Sequence, residues 1–187
     1  MKRVFIIHGW GGHPKEGWLA WLGKELKARG FEVSILAMPD TDEPKIEKWV
    51  PFLAKQVKKA DKETYFVGHS IGCQTILRYL ETINEKVGGA IFVAGWQTLT
   101  GLSAEEKLIA TPWEETQMDF GKIKKATKNF VAIFSDNDPY VPLTNIDIFR
   151  DGLGAKIIIE KKKGHFTEGD KVLEIPIVLK ELLKMSS

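Results

Sequence analysis

An open, mostly parallel β-sheet with α-helices on both faces is the fold class this sequence of 187 residues predicts. Short apolar runs recur along the chain, each apolar on consecutive positions rather than alternating, as strands covered on both faces require. Segments of helical period separate the runs, and the strand–helix order holds from end to end, the pattern of a layered α/β domain.

Each element has its own signal. The first strand is Val4-Phe5-Ile6-Ile7, and the glycine-rich turn "HGWGG" at 8–12 follows it. In "GWLAWLGKELKARG" Trp18, Leu22 and Leu26 share one helical stripe, while Lys27, Arg29 and Gly30 supply a cationic last turn and a stop. A second strand spans Phe31 to Leu36. The next helix places Ile46, Val50, Leu53 and Val57 together; Pro44 suits its first turn and Pro51 is expected to kink it. Thr64 to Val67 is the third strand and "CQTILRYLETI" the helix after it. Ala90 to Val93, Phe130 to Phe134 and Ile157 to Ile159 complete about six strands, and "VLEIPIVLKELLK" is the terminal helix. Residues 96–121 fit this alternation poorly, and two readings stand: a small helical cap over a site, or an extended connection with its own short helix. With no repeat, low-complexity tract or linker, the expectation is one domain over residues 1–187.

Composition excludes several functions. Lys and Arg total 27 against 25 for Asp and Glu, a net charge of +2, so no electrostatic footprint for nucleic acid or anionic membrane is present. The short runs "KIKKATK" and "EKKKGH" read as solvated faces. A single cysteine, Cys73, rules out an internal disulfide and fits a reducing compartment. No stretch approaches the roughly 18 to 20 apolar residues of a membrane span, and the apolar part of "MKRVFIIHGWGG" is too short for a signal-peptide core. A cytoplasmic protein with neither cofactor nor metal is expected.

The chemistry centres on "TYFVGHSIGCQ" at 64–74, where an apolar run ends in Gly-His-Ser-Ile-Gly and a helix begins. A serine at such a turn is ordinarily a turn former or helix N-cap. Here it follows a strand directly, on the sheet edge where ligands of open parallel sheets bind. Gly68 and Gly72 then have a purpose, since a serine on a strained strand-to-helix turn needs neighbours without side chains. That is the Gly-x-Ser-x-Gly nucleophile elbow. It presents the Ser70 hydroxyl and puts the Ile71 N–H at a helix N-terminus.

A serine nucleophile needs a base, and the base an orienting carboxylate, here in loops after later strands. The loop "SDNDPYVP" supplies Asp136 and Asp138, and "EKKKGHFTEGD" supplies His165, the one histidine in the loop where the base is required. Position alone does not choose between the aspartates. Pro139 restricts the backbone of Asp138 and so the direction of its carboxylate, while Asp136 opens a turn-rich stretch and reads as a turn former. Asp138 is therefore the expected acid. For the second oxyanion donor beside Ile71, the Trp10 N–H is the choice, with Gly9 and Gly11 as alternatives. Cys73 reads as a packing residue, and His69 as a residue tuning pocket shape or packing. His8 and His13 frame the glycine turn without metal-ligand spacing. Trp10, Trp96, Trp113 and Phe166 fall near strand ends or in the poorly fitting segment. For Trp10, Trp96, Trp113 and Phe166 alike, both an apolar acyl pocket and ordinary core packing stand.

These motifs, with "MPD" at 38–40, "TPW" at 111–113, "DPYVP" at 138–142 and "GHF" at 164–166, resemble the small α/β-hydrolases of the YdeN and retinoblastoma-binding-protein-nine family nearly end to end. The resemblance implies a compact α/β-hydrolase fold without the usual leading antiparallel strands, and a triad of Ser70, Asp138 and His165. The L-x-C-x-E motif for pocket proteins is absent; the corresponding stretch reads "KKADK", so retinoblastoma-protein binding is not implied. The expected function is hydrolysis of an ester or related acyl bond of a small-molecule substrate through an acyl-enzyme. A non-catalytic binding module on the same fold is the competing class. A dehalogenase would carry a carboxylate where Ser70 stands.

Overall fold

A computed structural model describes residues 1–187. Six strands form one parallel sheet: β1 (Arg3–Ile7), β2 (Glu32–Leu36), β3 (Thr64–His69), β4 (Gly89–Val93), β5 (Phe130–Ser135) and β6 (Lys156–Glu160), ordered β2-β1-β3-β4-β5-β6. The chain steps from β1 outward to β2, then returns past β1 to β3 and continues in one direction. Such a reversal opens a crevice beyond the carboxyl ends of β1 and β3. The glycine turn and the serine elbow emerge from those two ends.

The reversal also assigns the helices to faces, because right-handed crossovers running in opposite directions fall on opposite sides of the sheet. Helix α1 (Gly17–Lys27) packs with α7 (Pro176–Met185) on one side, and α2 (Ile46–Val57) and α5 (Phe120–Ala126) both pack on α3 (Ile71–Thr82) on the other. The apolar stripes account for this docking. Trp18, Leu19, Leu22 and Leu26 are buried on α1, and Trp49, Val50, Leu53 and Val57 on α2.

Two sequence expectations change. Pro44 lies ahead of the N-cap Lys45, outside the first turn of α2, while Pro51 lies inside that helix. Only the central strands are covered on both faces. Every residue of β3, β4 and β5 is buried, whereas Glu32 on the edge strand β2 is exposed and Ile159 on β6 is 49% exposed, since an edge strand has a neighbour on one side alone. Residues 96–121 fold into a loop, then α4 (Ala104–Glu115) and the start of α5. Ser103 and Glu106 close the N-terminus of α4 with a reciprocal capping box. Its C-terminal end is tied to α3 by the buried Arg78, which donates to the carbonyls of Trp113 (2.7 Å) and Thr116 (2.8 Å). A short helix α6 (Asn145–Asp147), extended by one π-helical turn, links β5 to β6. No helix is long and apolar enough to cross a membrane.

Candidate active site

Ser70 sits between β3 and α3 at φ 52°, ψ −119°, a conformation non-glycine residues rarely adopt. Its glycine neighbours are required by contact. A Cβ on Gly68 would lie 2.8 Å from the Cys73 backbone nitrogen, and one on Gly72 would lie 2.5 Å from the Ile7 carbonyl oxygen. The first glycine lets α3 fold back onto β3, and the second lets α3 lie on the end of β1. The Ser70 N–H donates to the Val93 carbonyl (2.9 Å), pinning the elbow to β4.

His165 reaches the same cleft from the loop after β6. Its Nδ1 lies 2.9 Å from Asp138 Oδ2, and the Asp138 side chain is 1% exposed. The loops that carry this pair are stitched together residue by residue. Ser135 Oγ accepts from the Lys163 N–H (3.0 Å), Asp136 Oδ1 from Lys162 (2.7 Å) and Asn137 Oδ1 from Gly164 (2.9 Å). The turn assignment made from the sequence is therefore reversed. Asp136 bonds the opposite loop, and Asp138 itself closes the turn through its Oδ1, which accepts from Tyr140 (2.9 Å) and Val141 (3.0 Å). Those two bonds fix one carboxylate oxygen and leave the other for the imidazole.

Asp170 grips the backbone of the histidine loop, its Oδ2 accepting from the N–H groups of His165 (2.9 Å) and Thr167 (3.0 Å) and from Thr167 Oγ1 (2.7 Å). Burial alone would raise the Asp170 pKa; the bonds from Thr167 and His165 outweigh it and hold the carboxyl below the usual range. Gly164, at φ 53°, has no room for a Cβ beside this carboxylate.

The cleft shared by Ser70 and His165 encloses about 610 Å³, within the range of small-ligand sites. Trp10, Leu99, Leu102, Ile109 and Tyr140 give it apolar surface, and Glu105 and Glu106 of α4 stand at one wall. The pocket expectations fare unequally. Trp96 reaches Ser70, its indole N–H donating to Ser70 Oγ (3.3 Å), while the ring itself is buried. Trp113 and Phe166 do not line the cleft. The Trp113 indole donates to the Pro44 carbonyl (2.9 Å) and meets Trp49 edge-on, so it joins α4 to α2. Phe166 is wholly buried, and its carbonyl accepts from Trp18 Nε1 (3.0 Å).

Of the backbone donors in the glycine turn, the N–H groups of Gly9 and Trp10 make no hydrogen bond within the protein, whereas that of Gly11 donates to the Thr41 carbonyl (2.8 Å). Ile71 is the first residue of α3, where an N–H has no acceptor in its own helix. His8 shapes the turn from below. Its Nε2 accepts from the Met38 N–H (3.2 Å), so the proton sits on Nδ1, 2.8 Å from the Gly9 carbonyl. Burial lowers the His8 pKa. Burial pushes the Cys73 thiol up, and its sulfur donates to the Val93 carbonyl (3.4 Å), so it is inert packing. No three His, Cys, Asp or Glu side chains cluster as metal ligands would.

Asn137, Asn145 and Asp170 have no role legible from sequence alone, and Tyr140, although it lies within "DPYVP", is not marked by sequence as a cleft residue. Asn145 is buried and uses its whole side chain: Oδ1 accepts from Gln97 (2.7 Å) and Thr98 (3.1 Å), and Nδ2 donates to the carbonyls of Thr98 and Pro142 (3.0 Å each).

The family model for serine hydrolases matches residues 4–184. The chain belongs to the serine hydrolase family. Among curated relatives it is 32% identical over 180 residues to YdeN of Bacillus subtilis (strain 168), covering 95% of this chain and 92% of the relative. It is 28% identical over 186 residues to the serine hydrolase RBBP9 of Rattus norvegicus, covering 97% and 95% respectively. The crystal structure of the Bacillus subtilis ydeN gene product superposes with a TM-score of 0.90 at 30% identity, covering 99% of this chain and 98% of that one. Within the serine hydrolase family, then, the fold is that of the compact α/β-hydrolases.

Proposed function

We propose that this hydrolase cleaves esters of small acyl groups through Ser70, His165 and Asp138. One observation carries the reading: the Asp138–His165 pair at 2.9 Å opens onto the cleft in which the strained elbow presents Ser70. His165 removes the Ser70 proton as the oxygen attacks the acyl carbonyl, and Asp138 holds the tautomer with the proton on Nδ1. The N–H groups of Trp10 and Ile71 receive the oxyanion. His165 then protonates the leaving alcohol, and afterwards activates the water that frees the acid from the acyl-enzyme.

A second reading has one observation in its favour. Ser70 Oγ accepts its hydrogen bond from Trp96, and no Ser70–His165 hydrogen bond is formed. A non-catalytic module would keep such an arrangement, but catalytic hydrogen bonds in unliganded sites are often long and tighten with substrate.

Pre-steady-state hydrolysis of p-nitrophenyl esters of increasing acyl length separates the two readings. An enzyme of this mechanism releases a burst of about one p-nitrophenolate per site before steady turnover. With a cleft of about 610 Å³ and a wall made by one short helix, turnover is expected to fall from acetate and butyrate toward long chains. Absence of both burst and turnover in folded protein supports the module; a rate rising toward long-chain esters contradicts the small-acyl assignment.

A further inference from the structure

The base is held at three points. The His165 N–H donates to Asp170 (2.9 Å), its ring Nδ1 bonds Asp138 (2.9 Å), and its backbone carbonyl accepts from His69 Nε2 (2.8 Å). Of these partners only His69 belongs to the elbow, joined to Ser70 by a peptide bond.

The His69 ring is itself tightly placed. Trp18 meets it edge-on at 5.8 Å, and the His165 ring lies 5.1 Å away. A Cβ on Gly9 would come within 2.9 Å of His69 Nδ1, so the glycine turn leaves the space the ring occupies. Its carbonyl partner assigns the proton to Nε2. Trp18 also donates to the carbonyl of Phe166, the next residue along the base loop. That loop needs holding, because Lys162, Gly164 and Phe166 all have positive φ.

We infer that His69 is a positioning residue that fixes the His165 loop to the nucleophile elbow and so sets the separation of base and nucleophile. The inference rests on the proposed roles of Ser70 and His165. In the unliganded site no Ser70–His165 bond sets that separation, so the scaffold must, and misplacement by 1 Å costs about 10²-fold in rate.

The test compares His69→Leu, His69→Asn and His69→Gln, with kcat and KM for p-nitrophenyl acetate normalised to folded protein. The Gln amide reaches the place of Nε2, and the shorter Asn amide does not. His69→Leu and His69→Asn are expected to lose about 10²-fold in kcat with KM nearly unchanged, and His69→Gln to recover most of it. A ring that only packs would lower stability in all three and leave kcat per folded molecule alone; that result, or equal losses in Gln and Asn, overturns the inference. If the Leu variant does not fold, the Gln and Asn contrast decides. A wild-type protein with neither turnover nor fluorophosphonate labelling would remove the catalytic reading itself, a failure visible before any variant is made.

Discussion

Asp136 and Asp138 stand two positions apart, and their surroundings give them different work. The Asp138 carboxylate is buried and bonds the His165 imidazole; Asp136 is exposed and accepts one N–H from the neighbouring loop. Replacing the triad carboxylate by its amide in the serine-protease example costs about 10⁴ in kcat. Asp138→Asn is therefore expected to lose most turnover while staying folded, and Asp136→Asn to cost about 1 kcal/mol of stability or less, measured by steady-state kinetics beside urea unfolding. A greater catalytic loss for Asp136→Asn at equal folded fraction would reverse the assignment. The buried histidines set a pH dependence of stability. Burial, aided by the charge of neighbouring His165, pushes His69 from 6.5 down to about 3, against the opposing effects of its bond to the His165 carbonyl and of Asp138; burial likewise lowers His8. Below pH 6.5 the unfolded chain protonates both rings, while the folded chain keeps His69 neutral until about pH 3 and takes up the His8 proton only below that ring's ordinary pKa. The unfolded state then binds more protons, so stability falls with pH by up to about 1.4 kcal/mol per unit for each ring. Urea unfolding between pH 7 and 5 is expected to show this loss with a shallower slope in His69→Gln, and equal slopes would contradict it.

At the scale of elements, what positions the site is a set of loop-to-loop bonds between strand ends. Asn145 joins the loop after β4 to that after β5, and Asn145→Ala would leave the Gln97 and Thr98 N–H groups without partners. The expected cost is about 1 to 3 kcal/mol in chemical unfolding, because the Asn145 side chain is buried while the Gln97 and Thr98 N–H groups it serves are only part-buried; a loss below about 0.5 kcal/mol would show that water replaces the amide fully. These bonds also mark the boundary of what was legible in the sequence. The six strands and helices α1, α2, α3 and α7 were, because apolar runs and long helical stripes are local, and so was the elbow, whose glycines are forced by contacts with α3 and β1; the short helices α5 and α6 were not. The turn role assigned to Asp136 was reversed because the partner of Asp136 is 26 positions away, at Lys162. Trp113 and Phe166 carry the same apolar signal whether they line a pocket or fill a core, and only the tertiary fold separates those outcomes.

Over the whole molecule, topology brings the parts together. The reversal at β1 puts the glycine turn beside the elbow, and the parallel register of β5 with β6 puts the aspartate loop beside the histidine loop. The central claim is that Ser70 is the nucleophile this arrangement serves. Its most direct test is reaction of the folded protein with a fluorophosphonate probe at neutral pH, followed by peptide mass mapping. The account predicts one adduct per chain, on the peptide carrying Ser70, and none in Ser70→Ala. Failure of the folded wild-type protein to label, or labelling of Ser70→Ala at the wild-type rate, would contradict it.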